Sequence, residues 1–129
     1  IEGVFDYTDI VTDQKGLWIK DTPGREMEIL TGMAVSGSQC MLFSTGRGSP
    51  QGFPIMPVIK ICGNPLTYEH LINDMDINAG KIIKGEKSIE EVGEAAFNKM
   101  IKVLSGETTK NETIKYYSSI DIYTLGPVL

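Results

Sequence analysis

Apolar residues fall in short, nearly unbroken runs separated by glycine, proline and small polar residues. Three such runs predict strands: Gly16-Leu17-Trp18-Ile19-Lys20-Asp21, Gln39 to Ser44, and Val58-Ile59-Lys60-Ile61-Cys62. Helical spacing takes over between them. Met27, Leu30, Met33 and Ala34 make one apolar face after Thr22-Pro23, a cap followed by proline, and Gly37 stops it. Asn64-Pro65 opens a second helix, with Tyr68, Leu71, Ile72 and Met75 on its apolar face. Asp76 to Gly80 reads as a turn-rich link, and Lys81-Ile82-Ile83 as a short strand.

The strongest helical pattern runs from Ser88 to Ser105. Ser88 and Glu91 form a capping box, and Ile89, Val92, Ala96, Met100 and Val103 form one stripe. Glu90, Glu91 and Glu94 near its start and Lys99 and Lys102 near its end complement the helix dipole. The tail is polar from Glu107 and turns strand-like around Ile120 to Tyr123. Strands alternating with helices predict an α/β fold. Strands this continuously apolar predict a mainly parallel sheet flanked by helices on both faces, a Rossmann-like three-layer arrangement.

The 129 residues fit a single domain, 1–129, large enough to bury roughly 70% of the surface of its unfolded chain. No apolar run approaches the ~20 residues that cross a bilayer. A start at Ile1 rather than Met suggests a piece of a longer protein. Net charge is −5, with the basic residues scattered. That excludes the basic face a nucleic-acid partner requires, and a polybasic membrane patch. Cys40 and Cys62 sit in apolar runs and read as reduced core thiols. A zinc site would need more ligands than these, with His70 the only histidine.

The chemistry concentrates where apolar runs stop. In open parallel sheets ligands gather outside the carboxyl ends of the strands. Three predicted strands end in polar loops: Asp21-Thr22-Pro23-Gly24, Ser44 to Ser49, and Gly63-Asn64-Pro65. Glycine lets backbone N–H groups approach a ligand, and the Arg47 guanidinium suits a carboxylate or phosphate. Thr45 and Ser49 add hydroxyl donors beside it. The loop lacks both the Walker A pattern and, with Gln51 where glycine is required, the dinucleotide fingerprint. One histidine supports no Ser-His-Asp or Cys-His pairing. Asp74 and Asp76 are turn residues or a pair of oxygens for a metal or a neighbouring domain. Asp21 caps or serves the site, and Lys60 either snorkels to an edge or is a cation of the site.

Several segments together carry a resemblance: GLWIKDTPG, TGMAVSGSQCMLFSTGRGSPQG, PVIKICGNP, DMDINAGKI and the terminal GPVL. They resemble the C-terminal region of the altronate and galactarate dehydratase family over most of the chain. The resemblance implies a cytoplasmic hydro-lyase that converts a sugar acid to a 2-keto-3-deoxy acid. It also implies that N-terminal and middle domains lie elsewhere in the same protein, along with most ligands of a divalent metal, iron(II). No metal ligand is assigned to this chain. Asp21, Thr22, Thr45, Gly46, Arg47, Gly48 and Ser49 are implied to bind substrate, with Lys60 the candidate catalytic residue by position. A related sulfolactate-cleaving lyase and a non-catalytic homodimerisation domain are the alternatives.

Overall fold

The computed structural model describes residues 1–11, 15–117 and 120–124; the terminal GPVL of the resemblance lies outside them. The chain divides into two compact units, Ile1–Ser38 with Ser118–Leu129, and Gln39–Tyr117. Strand pairing is parallel throughout, in two sheets rather than one, with five helices among the described residues. The α/β expectation holds. None of these helices is long and apolar enough to cross a membrane.

In the first unit, β1 (Gly3–Phe5) pairs in parallel with β2 (Trp18–Lys20), from Gly3 opposite Trp18 to Phe5 opposite Lys20. The Phe5 ring centre lies 4.6 Å from that of Trp18. The Lys20 ammonium donates to the carbonyls of Asp6 and Asp9, each at 2.9 Å. Helix α1 (Glu26–Val35) begins later than the Thr22-Pro23 signal predicts. The Asp21 N–H donates to the Phe5 carbonyl at 2.8 Å, so the ladder runs on past β2. Arg25 then takes the N-cap position, without a side-chain cap bond.

The second unit carries β3 (Met41–Thr45), β4 (Val58–Cys62) and β5 (Ile77–Asn78) in that spatial order. β4 is central, and its Val58, Ile59, Lys60 and Cys62 are at most 1% exposed. Helix α2 (Pro65–His70) starts at Asn64, whose side-chain oxygen accepts from the N–H groups of Leu66 and Thr67. Helix α3 (Gly80–Ile83) occupies the segment that β-branched content predicts to be a strand. Helix α4 (Ile89–Leu104) carries the expected capping box. Its Val92 and Val103 pack on Ile59 and Ile77, with Ala96 and Met100 alongside. Ile89 is a correction: it is 69% exposed and lies with Phe97, Ile101 and Leu104 among the helix's exposed apolar residues.

Helix α5 (Lys110–Ile114) is not expected from the polar tail, although Thr109 and Glu112 form a second capping box. Asn111, fully buried, donates to the Val58 carbonyl at 2.7 Å and fixes α5 against β4. Residues 120–124 form no strand.

Two elements meet at Gly80. A Cβ there would lie 2.5 Å from the Pro65 nitrogen, a backbone atom of α2 that cannot swing aside. Gly80→Ala is therefore expected to destabilise by about 3 kcal/mol, the upper part of the overpacking range. A thermal melt should show Tm lowered by about 10 °C.

Candidate functional site

β3 and β4 end together. Thr45 stands opposite Cys62, and the Gly63 N–H donates to the Thr45 carbonyl at 2.9 Å. The Ala79 N–H donates to the Cys62 carbonyl at 2.9 Å, which brings the end of β5 to the same edge. Parallel direction thus places the loops after all three strands on one rim. For Ser44 to Ser49 and Gly63-Asn64-Pro65, this is the expected convergence.

The loop after β3 closes on itself. The Gly48 N–H donates to the Thr45 hydroxyl oxygen at 2.7 Å, a side-chain-to-backbone turn. The Thr45 hydroxyl keeps its own hydrogen for donation. Gly48 has φ +78, and a Cβ on it would press to 2.9 Å from Thr67 Cγ2 and 3.1 Å from Cys62 Sγ. Only glycine meets both conditions. The tight turn leaves Gly46 and Arg47 exposed at its tip. Arg47 has no ion-pair partner among the described residues. Ser49 is half-buried and already engaged within the structure.

Lys60 lies opposite Phe43, with its ammonium 4.1 Å from the ring centre, a cation–π contact. It does not snorkel to an edge: the residue is 1% exposed. Its backbone N–H donates to Asp76 Oδ2 at 2.9 Å. Asp76 Oδ1 accepts from the Lys110 N–H at 3.1 Å and lies 3.7 Å from the Lys99 ammonium. Asp76 is therefore a buried fastener between β4, β5 and α5, beyond the turn role its sequence suggests.

Asp21 and Thr22 belong to the first unit, just past β2. They line a small cavity of about 90 Å³ with Tyr7, Pro23 and Tyr123. Thr45 to Ser49 and Lys60 belong to the second unit.

The thiols are free: Cys62 is buried and its Sγ lies 3.3 Å from the Asn64 carbonyl, and burial foremost pushes the half-buried Cys40 thiol up. His70 is exposed at the end of α2. Among the described residues no group of three or more His, Cys, Asp or Glu is placed to hold a metal ion. Sequence reasoning assigns no chemistry to Asn78, which ends β5 with its Oδ1 buried and accepting no hydrogen bond. Its only signal is a polar side chain closing a strand inside the Asp-Ile-Asn-Ala-Gly segment.

A family model described as D-galactarate/Altronate dehydratase, C-terminal, matches residues 1–128. The chain belongs to this family. It is 34% identical over 116 residues to galactarate dehydratase (L-threo-forming) of Escherichia coli (strain K12), covering 89% of this chain and 22% of that protein. Altronate dehydratase of Bacillus subtilis (strain 168) is 32% identical over 115 residues, covering 85% of this chain and 23% of the relative. The (2R)-sulfolactate sulfo-lyase subunit beta of Chromohalobacter salexigens is 31% identical over 114 residues, covering 88% of this chain and 29% of that subunit. The chain thus spans less than a third of the length of these relatives.

Proposed function

We propose that the chain serves as the C-terminal domain of a lyase that dehydrates a sugar acid of the altronate or galactarate type to a 2-keto-3-deoxy acid. In this reading the loop from Ser44 to Ser49 holds the substrate carboxylate. The supporting observation is the closed turn Thr45–Gly48, which presents Arg47 at the strand-end rim of β3, β4 and β5. A guanidinium with no ion pair among the described residues is available for a two-point contact with a carboxylate. The Thr45 and Ser49 hydroxyls and the amides around Gly46 and Gly48 serve as further donors.

Dehydration passes the proton next to the carboxylate to a general base, leaving an enediolate that then expels the hydroxyl of the next carbon as water. The resulting enediolate gathers charge on the carboxylate oxygens, where a fixed cation and fixed donors stabilise it most. Lys60, buried in β4 two residues before the rim, is our candidate catalytic residue by its position. A divalent metal, iron(II) by resemblance, would supply Lewis-acid stabilisation of the same charge. By the same resemblance, its ligands are assigned mainly to the N-terminal and middle domains. The exposed apolar residues of α4 support a domain that packs against further protein.

A second reading rests on the similarity to the sulfo-lyase subunit. An arginine fork accepts a sulfonate as readily as a carboxylate. Assay of the full-length enzyme against aldonates, aldarates and sulfolactate, with iron(II) or manganese(II), separates the two. The proposal expects water loss from an aldonate or aldarate and no sulfite release from sulfolactate. Sulfite release without dehydration would replace it with the second reading.

A further inference from the structure

Helix α4 carries two apolar stripes. Val92, Ala96, Met100 and Val103 pack on Ile59 and Ile77 of the sheet. Ile89, Gly93, Phe97, Ile101 and Leu104 make the second, at steps of four, four, four and three residues. Those steps keep all five on one side of a helix. The four large ones are 46% to 69% exposed. A helix apolar on two adjoining sides is built to be covered on both, and the sheet covers one.

Gly93 is an independent sign of a close neighbour. Glycine inside a helix is costly relative to alanine. A Cβ on Gly93 would meet nothing within 4 Å, so no contact among the described residues requires glycine there. A notch between Ile89 and Phe97 suits a second helix, whose side chain fills it as the two surfaces interdigitate.

Charge selects the occupant. Glu90 and Glu94 are exposed on the flank of the stripe, and neither has an ion-pair partner among the described residues. Two antiparallel helices related by a two-fold axis set like flanks side by side. A second copy would therefore bring these carboxylates against their own images, whereas a basic flank complements them. The chain covers 22–29% of the three relatives above, so most of a protein of that kind lies outside it.

We propose that the second stripe of α4 docks an amphipathic helix with basic flanks, from the part of the same polypeptide outside these 129 residues. Its apolar side chain fills the Gly93 notch, and its basic residues meet Glu90 and Glu94. This docking rests on the reading of the chain as one domain of a longer lyase and uses no residue of the Arg47 loop.

The photo-crosslinker benzoylphenylalanine, placed at position 97 or 104 of the full-length protein, tests this. Exposed Asn98, on another side of α4, takes the same group as control. Irradiation is expected to join positions 97 and 104 to peptides outside residues 1–129, in far higher yield than at 98. The product should run at the mass of one chain on a denaturing gel. Gly93→Leu, although leucine is the better helix former, should lower the Tm of the full-length protein by about 5 °C by overfilling the notch. A product heavier than one chain, crosslinks confined to residues 1–129, or yields no higher than at 98 would each overturn the proposal. So would an unchanged or raised Tm in Gly93→Leu. Neither readout depends on turnover, so failure of the sugar-acid assay would leave the docking standing, and failure of the docking would leave the assay's result standing.

Discussion

Replacing Arg47 with alanine in the full-length enzyme is expected to lower kcat/KM for its sugar acid about 100- to 1,000-fold, the usual cost of removing one donor aimed at developing charge. The loss should appear in both constants. KM rises because the guanidinium holds the carboxylate in the ground state, and kcat falls because the enediolate concentrates negative charge there. Stability should be unchanged, since the exposed side chain makes no ion pair among the described residues. Arg47→Lys should recover part of the activity, because an ammonium keeps the charge and loses the two-point fork. Steady-state kinetics on the two variants, with thermal melts alongside, would show this ordering. Unchanged kcat and KM in the alanine variant would remove the loop from the site.

Lys60→Met carries the second large expectation, a fall in kcat of about 100-fold or more, the scale of a lost acid–base or charge-stabilising group. Methionine is the informative choice. It fills nearly the same volume and its sulfur packs well on an aromatic ring such as that of Phe43. The Lys60 side chain is engaged within the structure, and removing one member of a buried polar contact costs stability, so the melt is read alongside turnover to keep the two effects apart. A Tm close to the parent's combined with collapsed turnover would identify Lys60 as a functional cation. An unchanged kcat would make it a residue of the core alone.

Where local physics was strong, the sequence carried the fold. Val58 to Cys62 is apolar at every position but Lys60, and it is the central strand, buried at every position but the half-buried Ile61. Asn64-Pro65 and Ser88 with Glu91 are caps whose bonds form as read. Elsewhere tertiary contacts outweighed local preference. Lys81-Ile82-Ile83 has strand composition, yet it forms a helical turn beginning where Gly80 seats against Pro65. Ile77–Asn78 looks like turn material because its flanking residues are polar. It joins the sheet because the neighbouring Asp76 carboxylate accepts the Lys60 N–H. The three-residue β1 offers too little pattern to detect, and its pairing with β2 moves the start of α1 from Thr22 to Arg25.

The candidate site was legible to a similar degree. An apolar strand running into Thr-Gly-Arg-Gly signals an exposed cation on a tight turn, and the Thr45–Gly48 bond builds that turn. That β3 and β4 end in step, with Gly63 bonded to Thr45, follows from the register and could only be assumed from sequence. Lys60 was ambiguous by sequence because a lysine in an apolar strand can reach either way. Its position over Phe43 is a cross-strand contact fixed by pairing, which no local pattern encodes. Asn78 stayed hidden for the same reason: its missing partner is a property of the packed state.

The central claim, that this loop grips the acid group of the substrate, is tested most directly by a crystal structure of the full-length enzyme with galactarate bound. The account predicts guanidinium nitrogens of Arg47 within about 3.2 Å of two carboxylate oxygens, the distance of a made hydrogen bond. Both carboxylates of the ligand held by other residues, with Arg47 pointing into solvent, would contradict it.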